Sequence, residues 1–162
     1  MTGRGADVVL RDVTEADLSV FFEQQLDADA NRMAAFTSRD PADRGAFMAH
    51  WARILGDAGI IKKTILVEGQ VAGHVSSFEM LGHREVTYWL GRSFWGQGLA
   101  TRALSALLEH EKVRPLHARA AKDNLGSLRV LEKCGFVITG EDKGFANARG
   151  AETEEFILVL RE

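Results

Sequence analysis

The segment Glu85-Val86-Thr87-Tyr88-Trp89-Leu90-Gly91-Arg92-Ser93-Phe94-Trp95-Gly96-Gln97-Gly98-Leu99-Ala100-Thr101 runs from a strand, through a glycine-rich turn, into a helix. Glu85 to Leu90 is rich in β-branched and aromatic residues, which favour a pleated, half-buried surface. Two glycines then bracket Gln97. From about Leu99 to Glu111, Ala103, Leu104, Ala106, Leu107 and Leu108 recur on one side of a predicted helix. The first turn of such a helix has unpaired N–H groups, and its dipole favours negative charge there. Glycine lets the backbone approach a phosphate closely. The segment therefore predicts a phosphate-binding corner.

Upstream, Val8 to Arg11 reads as a first strand. Thr14 with Asp17 marks a helix start, followed by the apolar stripe Leu18, Phe21, Phe22 and Leu26. Asp40-Pro41 is read as opening a second helix, with Phe47, Met48, Trp51, Ile54 and Leu55 inward. Thr64 to Val67 and Val71 to Phe78 form a hairpin about Glu68-Gly69-Gln70. Downstream, Pro115 ends the helix and Leu116 to Ala121 is a short strand. Asn124 to Lys133 is a short helix stopped by Gly135. Phe136 to Ile138 and Glu154 to Leu160 are two last strands. The resulting order, β-α-α-β-β-β-α-β-α-β-β, is an α/β mixture about one central sheet.

With 162 residues, 46% of them hydrophobic, the chain suits one domain over 1–162 with a core from about 8 to 161. A formal net charge of -3 predicts no large basic face, so nucleic acid is not expected as a partner. Met1 to Asp7 has no apolar region of the kind a secretory signal needs. Phe156 to Leu160 is too short to span a bilayer. Cys134 is the sole cysteine, read as a small packed hydrophobe. A cytoplasmic location is expected. His110-Glu111 lacks the second histidine of H-E-x-x-H and His117 has no ligand spacing to it, so no metal is expected.

Three devices place glycines at the mouth of a helix. Gly91 to Gly98 has the glycine spacing of the P-loop G-x-x-x-x-G-K-[ST], but Gln97 replaces the lysine and Gly98 the hydroxyl. Gly96-x-Gly98-x-x-Thr101 has two of the three glycines of the dinucleotide fingerprint. It sits mid-chain after a hairpin, and no acidic residue ends a strand about twenty residues on. In the third, Trp95-x-x-Gly98-x-Ala100 resembles the Q/R-x-x-G-x-G/A signature of the GNAT (N-acetyltransferase) superfamily, with Trp where Gln or Arg is usual. Asn124-x-x-Ser127 and Leu131-Glu132-Lys133-Cys134-Gly135-Phe136 resemble the family's second conserved segment. The Trp-Gly-Gln-Gly-Leu-Ala form is similar to the branch of ribosomal-protein N-terminal acetyltransferases, and the element order agrees over nearly the whole chain.

The resemblance implies a mixed, mostly antiparallel sheet flanked by about four helices, with strands splayed at an acyl-CoA site. It implies transfer of an acetyl group from acetyl-CoA to a primary amine, of a small molecule or a peptide or protein N-terminus, by direct attack in a ternary complex. Backbone groups at Leu90 would bind the pantetheine arm and offer an oxyanion donor, a contribution of ~3 kcal/mol. Trp95 and the amides of Gly96, Gln97, Gly98, Leu99, Ala100 and Thr101 would hold the pyrophosphate, and Asn124 would contact the cofactor or cap its helix. The family's usual tyrosine acid falls at Leu131. Ser127 is named in its place, to hydrogen-bond the departing thiolate.

Glu85 is the first choice of general base, with His74 and His83 flanking the same sheet. An α-amine with a reference pKa near 8 is roughly one-tenth neutral at pH 7, whereas a lysine near 10.4 is neutral about once in 2,500. A base therefore matters most for a lysine-like acceptor. Asp27 to Asp40, between the first two helices, is expected to help form the acceptor site. There its acids would attract a cationic amine and Arg32 and Arg39 would hold a carboxylate or phosphate. Lys143 to Glu152, with Phe145 and Arg149, is either a lid or a solvated hairpin connection. A homodimer is compatible with this reading. The alternative is a non-catalytic acyl-CoA sensor or regulatory domain, which the missing tyrosine at Leu131 favours, and a purely structural domain stands behind both.

Overall fold

A computed structural model describes residues 7–162. The expectation for the N-terminal residues preceding Asp7 lies outside the described residues. Seven strands form one sheet in the order β1-β2-β3-β4-β5-β7-β6. They are β1 (Val8–Asp12), β2 (Ile61–Val67), β3 (Gln70–Met80), β4 (His83–Leu90), β5 (Leu116–Ala121), β6 (Val137–Ala146) and β7 (Ala151–Leu160). Every pairing is antiparallel except β4 with β5. Five α-helices flank the sheet: α1 (Leu18–Gln25), α2 (Ala28–Ala34), α3 (Arg44–Leu55), α4 (Leu99–His110) and α5 (Leu125–Lys133).

The expectation of about four helices thus needs one more. The addition is α2, inside the segment read as a connection, where the Asp27 side chain caps the amides of Asp29 and Ala30. The second predicted helix begins later than Asp40-Pro41: Asp43 caps α3 through the Ala46 amide, and Pro41 lies in the preceding turn. Of the two readings of Lys143 to Glu152, the structure shows the hairpin connection: it comprises the end of β6, the turn at 147–150 and the start of β7.

Successive side chains of a strand face opposite sides of a sheet, and β3 shows how the layers divide. Val75 belongs to a large apolar cluster with Leu104 and Leu107 of α4 and Leu128 and Leu131 of α5. Its neighbour His74 packs instead against Phe21 and Trp51, at ring-centroid distances of 4.7 and 5.0 Å, in the smaller cluster of α1 and α3. Asp17 ties the start of α1 to the sheet. It accepts from Arg11 at 2.7 and 2.8 Å, from Thr64 at 2.6 Å and from the Thr14 amide at 2.9 Å. The Arg11 guanidinium foremost holds this carboxyl far below the ordinary carboxylate range.

His74 makes the fold pH-sensitive. Burial against Phe21 and Trp51 pushes its imidazole down to about 4. The unfolded chain takes up a proton near pH 6.5 that the folded chain refuses, so stability is full above 6.5 and is lost as pH falls toward 4. We expect unfolding free energy from urea titration to drop by about 2 kcal/mol between pH 7 and pH 5. His74→Gln should lose that much of the dependence. An unchanged pH profile in the variant would show that other groups carry it.

Candidate active site

Strands β4 and β5 are paired only at Arg84 with Leu116 and Glu85 with His117. Beyond that point β4 continues to Leu90 and β5 to Ala121 without pairing, and the strands part. A cavity of about 1050 Å³ occupies the gap and is lined on one side by Tyr88, Leu90 and Trp95 and on another by Asn124, Ser127 and Leu131. Gly96, Gly98, Leu99, Ala100 and Thr101 line the same cavity. Gln97, grouped with them from the sequence, does not; its amide donates to the Ser93 carbonyl at 3.1 Å.

The glycine turn has the form the sequence predicts. Gly96 and Gly98 have φ of 75° and 73°, and Gly98 stands at the N-cap of α4 with no side-chain cap. A Cβ built at either position would meet nothing within 4 Å. The left-handed backbone and the open space form a cradle over first-turn amides, which a helix leaves unpaired. This fits a pyrophosphate. Beside this turn, at the end of β4, the Gly91 N–H donates to the Ala72 carbonyl at 2.8 Å. The Leu90 carbonyl of that same peptide unit therefore points away from β3, and the Trp95 indole donates to it at 2.8 Å. Trp95 thus caps the strand end from a position where the signature usually has Gln or Arg.

Asn124 performs the capping role: its side chain accepts from the Ser127 amide at 3.2 Å. Its place in the cavity wall leaves contact with a cofactor open as well. Ser127 in turn has a partner that sequence reasoning missed, since the Tyr88 hydroxyl donates to its Oγ at 3.3 Å. Burial raises the Tyr88 phenol above its ordinary value. It stays protonated, and a donor, at neutral pH. Cys134, half-buried near Ser105 and the Thr101 carbonyl, has its thiol pushed up by burial, which makes it a poor nucleophile.

Glu85 reaches the cavity from the other face of the sheet. By alternation along β4, Glu85 and Trp89 share the α1–α3 side with His74, while Val86, Tyr88 and Leu90 face α4 and α5. Glu85 is buried, and its Oε2 has no hydrogen-bond partner among the described residues. His83 Nε2 lies 3.4 Å from that oxygen and Arg119 Nε 3.8 Å, which places charge nearby without a hydrogen bond. Arg119 itself is held by Glu155 at 2.8 Å and by Asp142 at 3.1 Å. Three carboxylates around one guanidinium leave an excess of negative charge beside the gap. His74, flanking the sheet in the sequence reading, is a core residue in the α1–α3 cluster.

The segment Asp27 to Asp40 does border the cavity, through Ala30, Met33, Phe36 and Thr37. It is fixed at both ends. Arg92 donates to Asp27 at 2.6 and 2.9 Å, joining α2 to the glycine turn, and stacks on the Trp95 ring at 5.4 Å. Arg149 donates to Asp123 at 2.7 and 2.8 Å and to the Arg32 carbonyl at 2.9 Å, clamping the β6–β7 hairpin onto α2. Arg149 therefore serves the fold rather than a lid. Arg32 stands apart from the main cavity, in a second depression with Asp29, Arg92 and Asp123. Among the described residues no group of three or more His, Cys, Asp or Glu is placed to hold a metal ion, and no helix is long and apolar enough to cross a membrane.

The family model described as acetyltransferase (GNAT) domain matches residues 7–137. An uncharacterized N-acetyltransferase of Bacillus licheniformis is 26% identical over 105 residues, which cover 62% of this chain but only 58% of that protein. The protein provisionally named ribosomal N-acetyltransferase YdaF, of Bacillus subtilis (strain 168), is 26% identical over 128 residues, 74% of this chain and 70% of its own. The solved structure of Mycobacterium smegmatis RimJ in complex with CoA-disulfide superposes with a TM-score of 0.81, over 95% of this chain and 81% of that one, at 22% identity. At that identity the likeness is one of fold.

Proposed function

Because this chain belongs to the GNAT acetyltransferase family, we propose that residues 1–162 form a single acetyl-CoA-dependent N-acetyltransferase domain acting on a primary amine. The observation that carries this reading is the parted β4–β5 gap, with the Gly96–Gly98 cradle at one end and, in its wall, the buried Glu85 carboxylate, whose Oε2 has ion-pair neighbours but no hydrogen bond among the described residues. The amides of Gly96 and of Gly98 to Thr101 hold the pyrophosphate, with Trp95 and Asn124 beside them, and backbone at Leu90 lies along the pantetheine arm. Bound acetyl-CoA supplies an activated acetyl group and a good leaving thiol.

This chain's residues do the rest. Glu85 accepts the proton that the attacking nitrogen loses, and its approach from the α1–α3 face sets the amine on the side opposite α5. Ser127 stands across the gap and donates to the sulfur as the C–S bond breaks and the C–N bond forms. A cationic amine gives up two protons: Glu85 takes the first before attack and passes it to solvent, and the second, lost from the adduct, balances the one gained by sulfur, so the transfer releases one proton and needs no other reactant. The carboxylates of Glu85, Asp142 and Glu155 outnumber Arg119 and draw in a cationic amine. A peptide or protein N-terminus is favoured as acceptor, since the provisional name of the Bacillus subtilis relative refers to ribosomal N-acetylation. An α-amine also needs less help from a base than a lysine does. Neither a nucleic acid nor a second copy of the chain has a role in this mechanism, and the proposed location is the cytoplasm.

The test is thiol release from acetyl-CoA across a panel of small amines, lysine derivatives and short peptides with free N-termini. We expect turnover with at least one primary amine, and faster turnover with peptides than with lysine side chains. Thermal stabilisation by CoA without thiol release on any amine would instead leave an acyl-CoA-binding sensor. No stabilisation at saturating CoA would overturn both readings.

A further inference from the structure

Tyr88 is the chain's sole tyrosine, and no part of the mechanism above uses it. It lies on β4, in the wall of the gap, with its hydroxyl 3.3 Å from Ser127 Oγ on α5. Leu131, where the family's usual tyrosine falls, is one turn further along α5 and carries no donor. A serine hydroxyl has one hydrogen and two acceptor lone pairs. Left alone it rotates, and its hydrogen is readily captured by the carbonyl of Asp123 or Asn124 at the helix start. Two bonds constrain this serine. Its amide is held by Asn124, and its oxygen accepts from Tyr88. With one lone pair occupied from the β4 side, the hydroxyl hydrogen is turned toward the remaining directions, including the cavity. Accepting a bond also polarises the hydroxyl and makes it a better donor.

We propose that Tyr88 is a positioning residue that orients Ser127 as hydrogen-bond donor to the leaving sulfur, supplying from β4 the phenol that α5 lacks at Leu131. This rests on the acetyltransferase reading and adds to it a two-residue chain, Tyr88 to Ser127 to sulfur, in which the phenol keeps its own proton. No proton leaves Tyr88 or Ser127: the departing thiolate accepts a hydrogen bond from Ser127 and takes its proton from water, and the chain only sets the direction of that bond. Part-buried in the cavity wall, the phenol has its pKa raised by desolvation and remains a donor at neutral pH.

The experiment compares Tyr88→Phe, Ser127→Ala and the double variant, using acetyl-CoA and the best amine of the panel. We expect kcat to fall roughly fivefold in Tyr88→Phe, the effect of one hydrogen bond between neutral groups, with the Kd for CoA within threefold of wild type. The double variant should be no more than about threefold slower than Ser127→Ala, because the two residues act as one unit. A kcat for Tyr88→Phe within twofold of wild type, or losses that multiply in the double variant, would overturn the proposal. So would loss of CoA affinity in parallel with kcat, which would mark Tyr88 as merely structural.

A second measurement needs no turnover. Protein grown with 3-fluorotyrosine carries a single fluorine-labelled residue, Tyr88, whose 19F resonance should move on adding CoA. A resonance unmoved at a CoA concentration that stabilises the protein would place Tyr88 away from the cofactor and sink the idea. If no amine supports thiol release in the wild type, the acetyltransferase reading itself fails and takes this one with it. Normal turnover in Tyr88→Phe removes only the positioning role.

Discussion

Gly98→Val is expected to weaken CoA binding at least 100-fold while leaving the protein folded. Gly98 has φ 73° and ψ 9°, and a side chain in the left-handed region costs about 1–2 kcal/mol. A protein with an ordinary stability of about 5–15 kcal/mol survives that. No protein atom lies within 4 Å of the added Cβ, so the substitution does not clash with its own fold. It fills the open side of the cradle, where the pyrophosphate is proposed to lie against the first-turn amides of α4. The readout is thermal stabilisation by ligand. At a CoA concentration about 100 times the wild-type Kd, binding adds about 2.7 kcal/mol to stability. For a chain of this size that raises the melting temperature by roughly 5–10 °C. A 100-fold weaker Kd leaves about 0.4 kcal/mol, or a shift near 1 °C.

Gly69→Val is the control. Gly69 lies in the β2–β3 turn with φ 81° and equally open surroundings, but outside the cavity. It should lose a similar amount of intrinsic stability and keep the full CoA shift. If Gly98→Val retains wild-type stabilisation by CoA, the pyrophosphate does not lie on this turn.

That turn was legible in the sequence because its physics is local. Two glycines between a β-rich run and an apolar helical stripe need no distant partner to be recognised, and β5 was read to its last residue for the same reason. α2 was not. Its seven residues, Ala-Asp-Ala-Asn-Arg-Met-Ala, have no apolar stripe; only Asp27 as N-cap marked it, and Arg92 and Arg149 fix it from 65 and 117 residues away. β6 escaped notice beyond Ile138 because it is an edge strand, exposed along most of its length, where burial imposes no alternation. A register shift between Ile138 and Gly140 then sets the pairing that brings Asp142 to Arg119. The candidate base shows the same division. Glu85 could be named from its strand, but its surroundings come from β5, β6 and β7. Tyr88 and Ser127, 39 residues apart, have no shared local pattern at all.

Glu85→Gln carries the other large effect: kcat/KM at pH 7 is expected to fall about 100-fold, within the range of a positioned general base. Glutamine keeps the shape of the side chain and its acceptor oxygen, and gives up the ability to take a proton. The fold should tolerate it. Glu85 has no hydrogen bond at Oε2 among the described residues, and Arg119 retains Glu155 and Asp142 when the charge is removed. The pH dependence identifies the role. Without a base, the variant relies on amine that is already neutral, and below the acceptor's pKa that fraction grows tenfold per pH unit. The rate of the variant should therefore climb with unit slope up to the acceptor's own pKa: about tenfold between pH 7 and 8 for a peptide N-terminus, which leaves it about tenfold below wild type, and enough to close the gap for a lysine near 10.4. The wild-type rate should level off earlier, because Glu85 removes the proton within the complex. A loss that stayed constant at every pH would assign Glu85 to binding the ammonium through its charge. A variant within threefold of wild type at pH 7 would remove Glu85 from the mechanism and leave the proton to water or to His83, 3.4 Å away.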